Sequence, residues 1–167
     1  GATLEAIADD AGFSKGVVYS QFEGKADLFF ALLEARIRAR AAQNEAIAKA
    51  HVGRRALVEL IRAGERDGRA ERGWAQLLLE FRLHAARAPE ANERYAALHA
   101  VACTGIAQVL ERAYAAEGMT PPAAPQHLAA LVIACGAGIA LENLVVDLPA
   151  AVATAFIARA LGVADIL

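Results

Sequence analysis

Apolar positions recur every three to four residues along almost the whole chain, and no stretch alternates with period two. The pattern predicts an all-α protein. Caps and breakers set the bounds. Thr3 is placed to cap a short helix over about 4–11, which Gly12 ends, and Ser14 to cap a second over about 15–21. Gly24 precedes a long helix over about 25–50, and Gly53 separates it from one over about 54–66. The polar run 66–73 reads as a loop before a helix over about 74–87. Pro89 suits the first turn of a helix running to about 117, which Gly118 and Pro121-Pro122 stop. Helices over about 125–146 and 150–161, divided by Pro149, complete the chain, with no internal repeat.

The elements come in two sizes. The two short helices bury little surface alone, so they need a support, and the long helix from Lys25 supplies one. The expected division is an N-terminal domain built on the short helices over 1–30 and a helical body over 31–167. Ala8, Gly12 and Val18 fall at relative positions 1, 5 and 11, the spacing a helix-turn-helix needs. A small residue at Ala8 lets the second helix approach the first. Gly12 permits a positive φ at the sharp turn, and Val18 fills the angle between the helices. Leu4, Ile7 and Ala11 are expected to form the inner stripe of the first helix. The spacing by itself also fits two short amphipathic helices in an ordinary bundle.

Composition narrows the class. Apolar residues make up 57% of the 167 and charged residues 22%, enough for a sizeable core and against disorder. The net charge of −2 points to no acidic partner, and residues 1–30 hold Lys15 and Lys25 against Glu5, Asp9, Asp10, Glu23 and Asp27. Cys103 and Cys135 lie in apolar helical patterns and read as reduced, buried thiols. The run Leu128–Leu141 is 14 residues, short of the roughly 18 that span a bilayer. No signal peptide is visible, so the expected location is the cytoplasm.

The residues Thr3-Leu4-Glu5-Ala6-Ile7-Ala8-Asp9-Asp10-Ala11-Gly12-Phe13-Ser14-Lys15-Gly16-Val17-Val18-Tyr19-Ser20-Gln21-Phe22, followed by Lys25, Leu28 and Phe29, resemble the DNA-binding signature of the TetR family. The Thr cap, Ile-Ala, Ala-Gly-hydrophobic-Ser, Lys-Gly, Tyr, Phe, Lys and Leu stand at the family's spacing. Trp74 to Ala85 is similar to a segment common in its members. The resemblance implies a regulator that binds operator DNA as a homodimer and releases it when a small molecule binds; repression is the family default. It also implies a helix ahead of this motif, so the reading domain is expected to be incomplete as it begins at Gly1.

The resemblance assigns DNA contacts to Thr3, Ser14, Lys15, Gly16, Val17, Tyr19, Ser20, Gln21 and Lys25, with Phe22 and Leu28 as core. Thr3 and Ser14 also serve as caps. Lys15 and Gly16 stand at the N-terminal end of the reading helix, Val17 faces out if Val18 faces in, and Lys25 resembles a phosphate-contacting lysine. Ser20 and Gln21 stand where the family often has a bulkier or aromatic pair, which leaves the operator sequence unread. An effector site is implied among the middle helices, with Trp74, Leu78, Phe81, Arg82, Ile106, Leu110, Ile139 and Asn143 as candidates for a mostly hydrophobic molecule; the apolar ones equally suit ordinary core. The last two helices are apolar around most of their circumference, and the resemblance pairs them with their copies in a dimer.

Catalysis is not expected. A di-iron bundle needs Glu-x-x-His, and Glu80, Glu90, Glu93, Glu111 and Glu142 each lack the histidine three residues on. His51, His84, His99 and His127 have no metal-ligand spacing, and neither Cys-x-x-Cys nor a glycine-rich phosphate loop occurs. No cofactor or metal is expected. The rival reading is a helical ligand- or protein-binding regulator without DNA binding.

Overall fold

The computed structural model describes residues 3–70 and 72–167, with the backbone alone at 67–70 and 72. Among the described residues the chain is helical throughout, in the order α1 (Leu4–Asp10), α2 (Lys15–Gln21), α3 (Lys25–Ala50), α4 (Arg54–Ala70), α5 (Arg72–Ala85), α6 (Pro89–Ala116), α7 (Pro125–Glu142) and α8 (Ala150–Ala160). It divides into two compact units, one ending at Ala39 and one spanning Arg40–Leu167, with the boundary inside α3.

The first unit holds α1, α2 and the start of α3. Its buried residues are Leu4 and Ala8 on α1 and Phe29, Phe30 and Leu33 on α3. Ala8 is 1% exposed where α1 meets α2, which is why a methyl suffices there. Phe29 and Phe30 meet edge to face, ring centres 6.2 Å apart. Phe22 and Leu28 are half-buried. Ala11 departs from the inner stripe: it caps α1 and is exposed, because the helix ends one residue earlier than its apolar pattern.

In the second unit α6 is the spine. It packs along α7 and touches α4 and α5, while α8 lies on α4. The core joins Leu57, Val58 and Ile61 of α4 to Ala107, Leu110 and Tyr114 of α6, Leu128 and Ala129 of α7, and Ala158, Leu161 and Val163 at the C-terminal end. Leu57, Val58, Leu110 and Val163 are the largest fully buried side chains, and such burial stabilises by about 1.5–3 kcal/mol each. Polar ties hold the C-terminal segment. Thr154 Oγ1 donates to Glu65 at 2.9 Å, Arg62 donates to the Leu167 carbonyl at 2.7 Å, and Arg54 pairs with Asp165. At the α3–α4 turn Gly53 has φ +60°, and the Glu117 carboxylate passes where a Cβ would stand, accepting from the Arg54 amide at 2.6 Å.

The 66–73 run, the end of α7 and the burial of Cys135 differ from the sequence reading. The expected loop at 66–73 is largely helix: α4 runs to Ala70 and α5 opens at Arg72, while Glu71 lies outside the described residues. The arginines and alanine of the run are good helix formers, which offsets the penalty of about 1 kcal/mol at each of its two glycines. The α7 helix stops at Glu142 rather than 146. The Asn143 side chain accepts from the Leu148 amide at 3.0 Å, closing a turn, and the following Val145-Val146 pair is β-branched. Cys135, expected to be buried, is half-buried, whereas Cys103 is buried; both are free thiols.

Candidate nucleic-acid interface and effector region

Two caps and one glycine shape the first unit. Thr3 Oγ1 accepts from the Ala6 amide at 3.2 Å and opens α1; Ser14 Oγ accepts from the Val17 amide at 3.4 Å and opens α2. Between them Gly12 has φ +76°. The Phe13 amide donates to the Ala8 carbonyl at 2.9 Å and the Gly12 amide to Asp9 at 3.2 Å, the paired bonds of a Schellman turn. The chain therefore bends sharply at Gly12, as the spacing predicted.

On α2 only Val18 is turned partly inward, and it is half-buried. Lys15, Gly16, Val17, Tyr19, Ser20 and Gln21 are exposed, as are Thr3, Ser14 and Lys25. All nine residues assigned to DNA are thus solvent-facing, on one short helix and at the openings of α1 and α3. Ser20 Oγ donates to the Val17 carbonyl at 2.8 Å. Sequence reasoning missed the contact of Tyr19. Its hydroxyl donates to the Glu5 carboxylate on the first turn of α1 at 2.5 Å. That bond, then a backbone amide, the Thr3 hydroxyl and the charge of Lys15, hold the Glu5 carboxyl below its ordinary range. The same bond pushes the Tyr19 phenol up. The two residues are 14 apart, and no periodic signal links them.

The eight effector candidates fall on α5, α6 and the C-terminal end of α7, three helices in mutual contact. Phe81 and Leu110 are buried, and Leu110 belongs to the core cluster. Trp74, Leu78, Arg82, Ile106 and Ile139 are half-buried, and Asn143 is exposed. The structure adds three neighbours on one stripe of α6. The Tyr95 ring lies 6.4 Å from Phe81 and 6.4 Å from His99, whose Nδ1 is 3.6 Å from Cys103 Sγ. The Arg82 guanidinium sits 5.7 Å from the Tyr95 ring centre. Burial, then the Arg82 charge, lowers the His99 pKa; burial raises the Tyr95 phenol and the Cys103 thiol. The spacing of Tyr95, His99 and Cys103 at i, i+4 and i+8 was the available signal.

Among the described residues, cavities occur elsewhere in the second unit. One of about 140 Å³ is lined by His51, Gly53, Val109 and Arg112 among others; a wholly apolar one of about 40 Å³ lies between α7 and α8, lined by Leu131, Cys135, Phe156 and Ile157 among others. None of the eight effector candidates lines either. Among the described residues no group of three or more His, Cys, Asp or Glu side chains gathers as a metal site.

A glycine-bent pair of short helices with an exposed second helix, followed by an all-helical body, defines the class: a helix-turn-helix protein. Residues 1–32 match the family of bacterial regulatory proteins called tetR. The chain shares its fold with GusR of Salmonella enterica (TM-score 0.67, 18% identity, 96% of this chain and 85% of that one). It also shares it with a transcriptional regulator of the TetR/AcrR family from Thermobifida fusca (TM-score 0.59, 20% identity, 96% of this chain and 85% of that one). No curated protein matches the sequence. The family match covers the first 32 residues, and the two solved structures share the fold of the chain.

Proposed function

We propose that the protein is a cytoplasmic transcriptional repressor that binds operator DNA as a homodimer and lets go when a small, largely hydrophobic effector binds. The observation that carries the DNA reading is the outward row on α2. Lys15, Val17, Tyr19, Ser20 and Gln21 are exposed while Val18 anchors the helix, and a helix so presented fits a major groove. Dimerisation is supported by apolar side chains left in water on α7, α8 and the turn between them. Leu131 is 58% exposed, Leu144 56%, Val152 61% and Phe156 64%. Helix α7 is long and apolar enough, by length and composition, to cross a bilayer. We read it instead as a packing helix, because α5, α6 and α8 all lie against it. A dimer would set two reading helices on half-sites about 34 Å apart or a multiple of that. The half-buried Arg82 and Tyr95 favour an effector with a polar end placed against the α5–α6 seam.

The test is duplex binding by the full-length protein as a function of salt, using a DNA site enriched from random sequence. The expected result is affinity that falls steeply with salt, with a slope that shrinks by about one for Lys15→Ala or Lys25→Ala. Tyr19→Ala is expected to weaken binding without altering thermal unfolding. Absence of duplex binding at low salt would leave the rival reading, a regulator acting through ligand or protein alone, which the five carboxylates among residues 1–30 favour.

A further inference from the structure

We propose that Glu5 is a built-in competitor for the DNA backbone: its carboxylate holds the Tyr19 hydroxyl in the unbound protein and yields it to a phosphate in the complex, so that Glu5 limits duplex affinity. This rests on the reading that α2 enters the groove. A tyrosine has one hydroxyl proton and donates it to one strong acceptor at a time. In this structure that acceptor is the Glu5 carboxylate. A phosphate oxygen is the same kind of partner, an anionic oxygen, so one anion must replace the other. Glu5 also draws on the charge of Lys15, the cation at the opening of α2. Its place on the first turn of α1, where a negative charge suits the helix dipole, accounts for its being tolerated beside a surface meant for phosphates. Once the duplex arrives, the carboxylate is left near phosphates without its donor.

The experiment has two arms on the full-length protein. In the first, the Glu5 carboxyl is titrated by NMR. Unbound, it should titrate below the ordinary carboxylate range, rise in Tyr19→Phe, and rise likewise when the selected duplex is added to the wild type. In the second, duplex affinity is measured for Glu5→Gln in the wild-type and Tyr19→Phe backgrounds, with thermal unfolding recorded for each. Exposed contacts to a charged group shift equilibria by roughly two- to fivefold. Glu5→Gln should therefore tighten binding about that much when Tyr19 is present, and less in Tyr19→Phe. A weakened Glu5→Gln would make Glu5 a residue that positions Tyr19 and would overturn the proposal. An equal gain in both backgrounds would overturn it too, leaving plain charge repulsion. A wild type that binds no duplex at low salt sinks the DNA reading and this proposal together; wild-type binding that Glu5→Gln leaves unmoved sinks this proposal alone.

Discussion

The hydroxyl of Tyr114, in the last turns of α6, donates a 2.7 Å hydrogen bond to the carbonyl of Leu161, the residue that closes α8. Tyr114 is 2% exposed and Leu161 5%, so the bond ties two distant segments of the chain in a dry place. Tyr114→Phe keeps the ring and strands the carbonyl. A buried acceptor left without its donor costs about 1–3 kcal/mol. The denaturant midpoint should fall accordingly with the slope unchanged. An unmoved midpoint would mean that the carbonyl finds another donor at no loss.

Gly12→Ala should destabilise the first unit by about 1–2 kcal/mol, the usual penalty for a side chain in the left-handed region. No heavy atom lies within 4 Å of the added Cβ, so the penalty is conformational and not steric. Hydrogen exchange reads it directly: amides of α1 and α2 should exchange faster, while those of α6 stay as they are. Gly12→Asn should recover part of the loss, since asparagine tolerates this conformation better. Equal exchange in Gly12→Ala would show that the turn relaxes to another shape.

That bond and that turn mark how far the sequence reached. Helix α2 was legible to the residue, Lys15–Gln21, because Ser14, Gly12 and the inward Val18 are local signals that act within a few residues. The span of α3 was legible for the same reason, from Gly24 to the break at Gly53. What escaped depends on partners far along the chain. Tyr19 meets Glu5 across 14 residues, Arg112 meets Glu45 across 67, and Tyr114 meets Leu161 across 47. Helical periodicity says which face of a helix turns inward, not which residue waits opposite. The end of α7 was misread because apolar character continues through Leu144, Val145 and Val146 after the backbone has turned away. On α5 the sequence reading named Phe81 and Arg82 yet passed over Tyr95 and His99, the row on α6 that meets them.

His99 makes stability depend on pH in a defined direction. Its folded pKa is lowered, first by burial and then by the Arg82 charge, while the unfolded ring titrates near the ordinary value of about 6.5. The unfolded chain thus binds the proton first as pH falls. Stability from this ring is complete above about 6.5, declines as pH drops from there to the folded pKa, and changes no further below it. Melting temperature should therefore slope downward from about pH 6.5 on the acid side, and His99→Gln should flatten that slope. The same slope in His99→Gln would assign it to other groups.

Phe156 tests whether the apolar surface of α7 and α8 is an interface between copies. It is 64% exposed, stands one turn after Val152 at 61%, and borders the α7–α8 groove together with Leu131 at 58%. A cluster of this kind in water is unfavourable unless another surface covers it. Because most of the Phe156 ring already faces solvent within one chain, Phe156→Arg should leave the fold of a single copy intact. Two arginines facing each other across a two-fold axis would, in contrast, disrupt a self-complementary interface. Light scattering should report twice the chain mass for the wild type and one chain mass for Phe156→Arg, with the circular dichroism unchanged. Duplex affinity should fall with the mass, since a single reading helix no longer gains from a tethered second one. A Phe156→Arg variant that keeps the doubled mass would place the contact between copies elsewhere; a monomeric wild type would remove the homodimer from the proposed function.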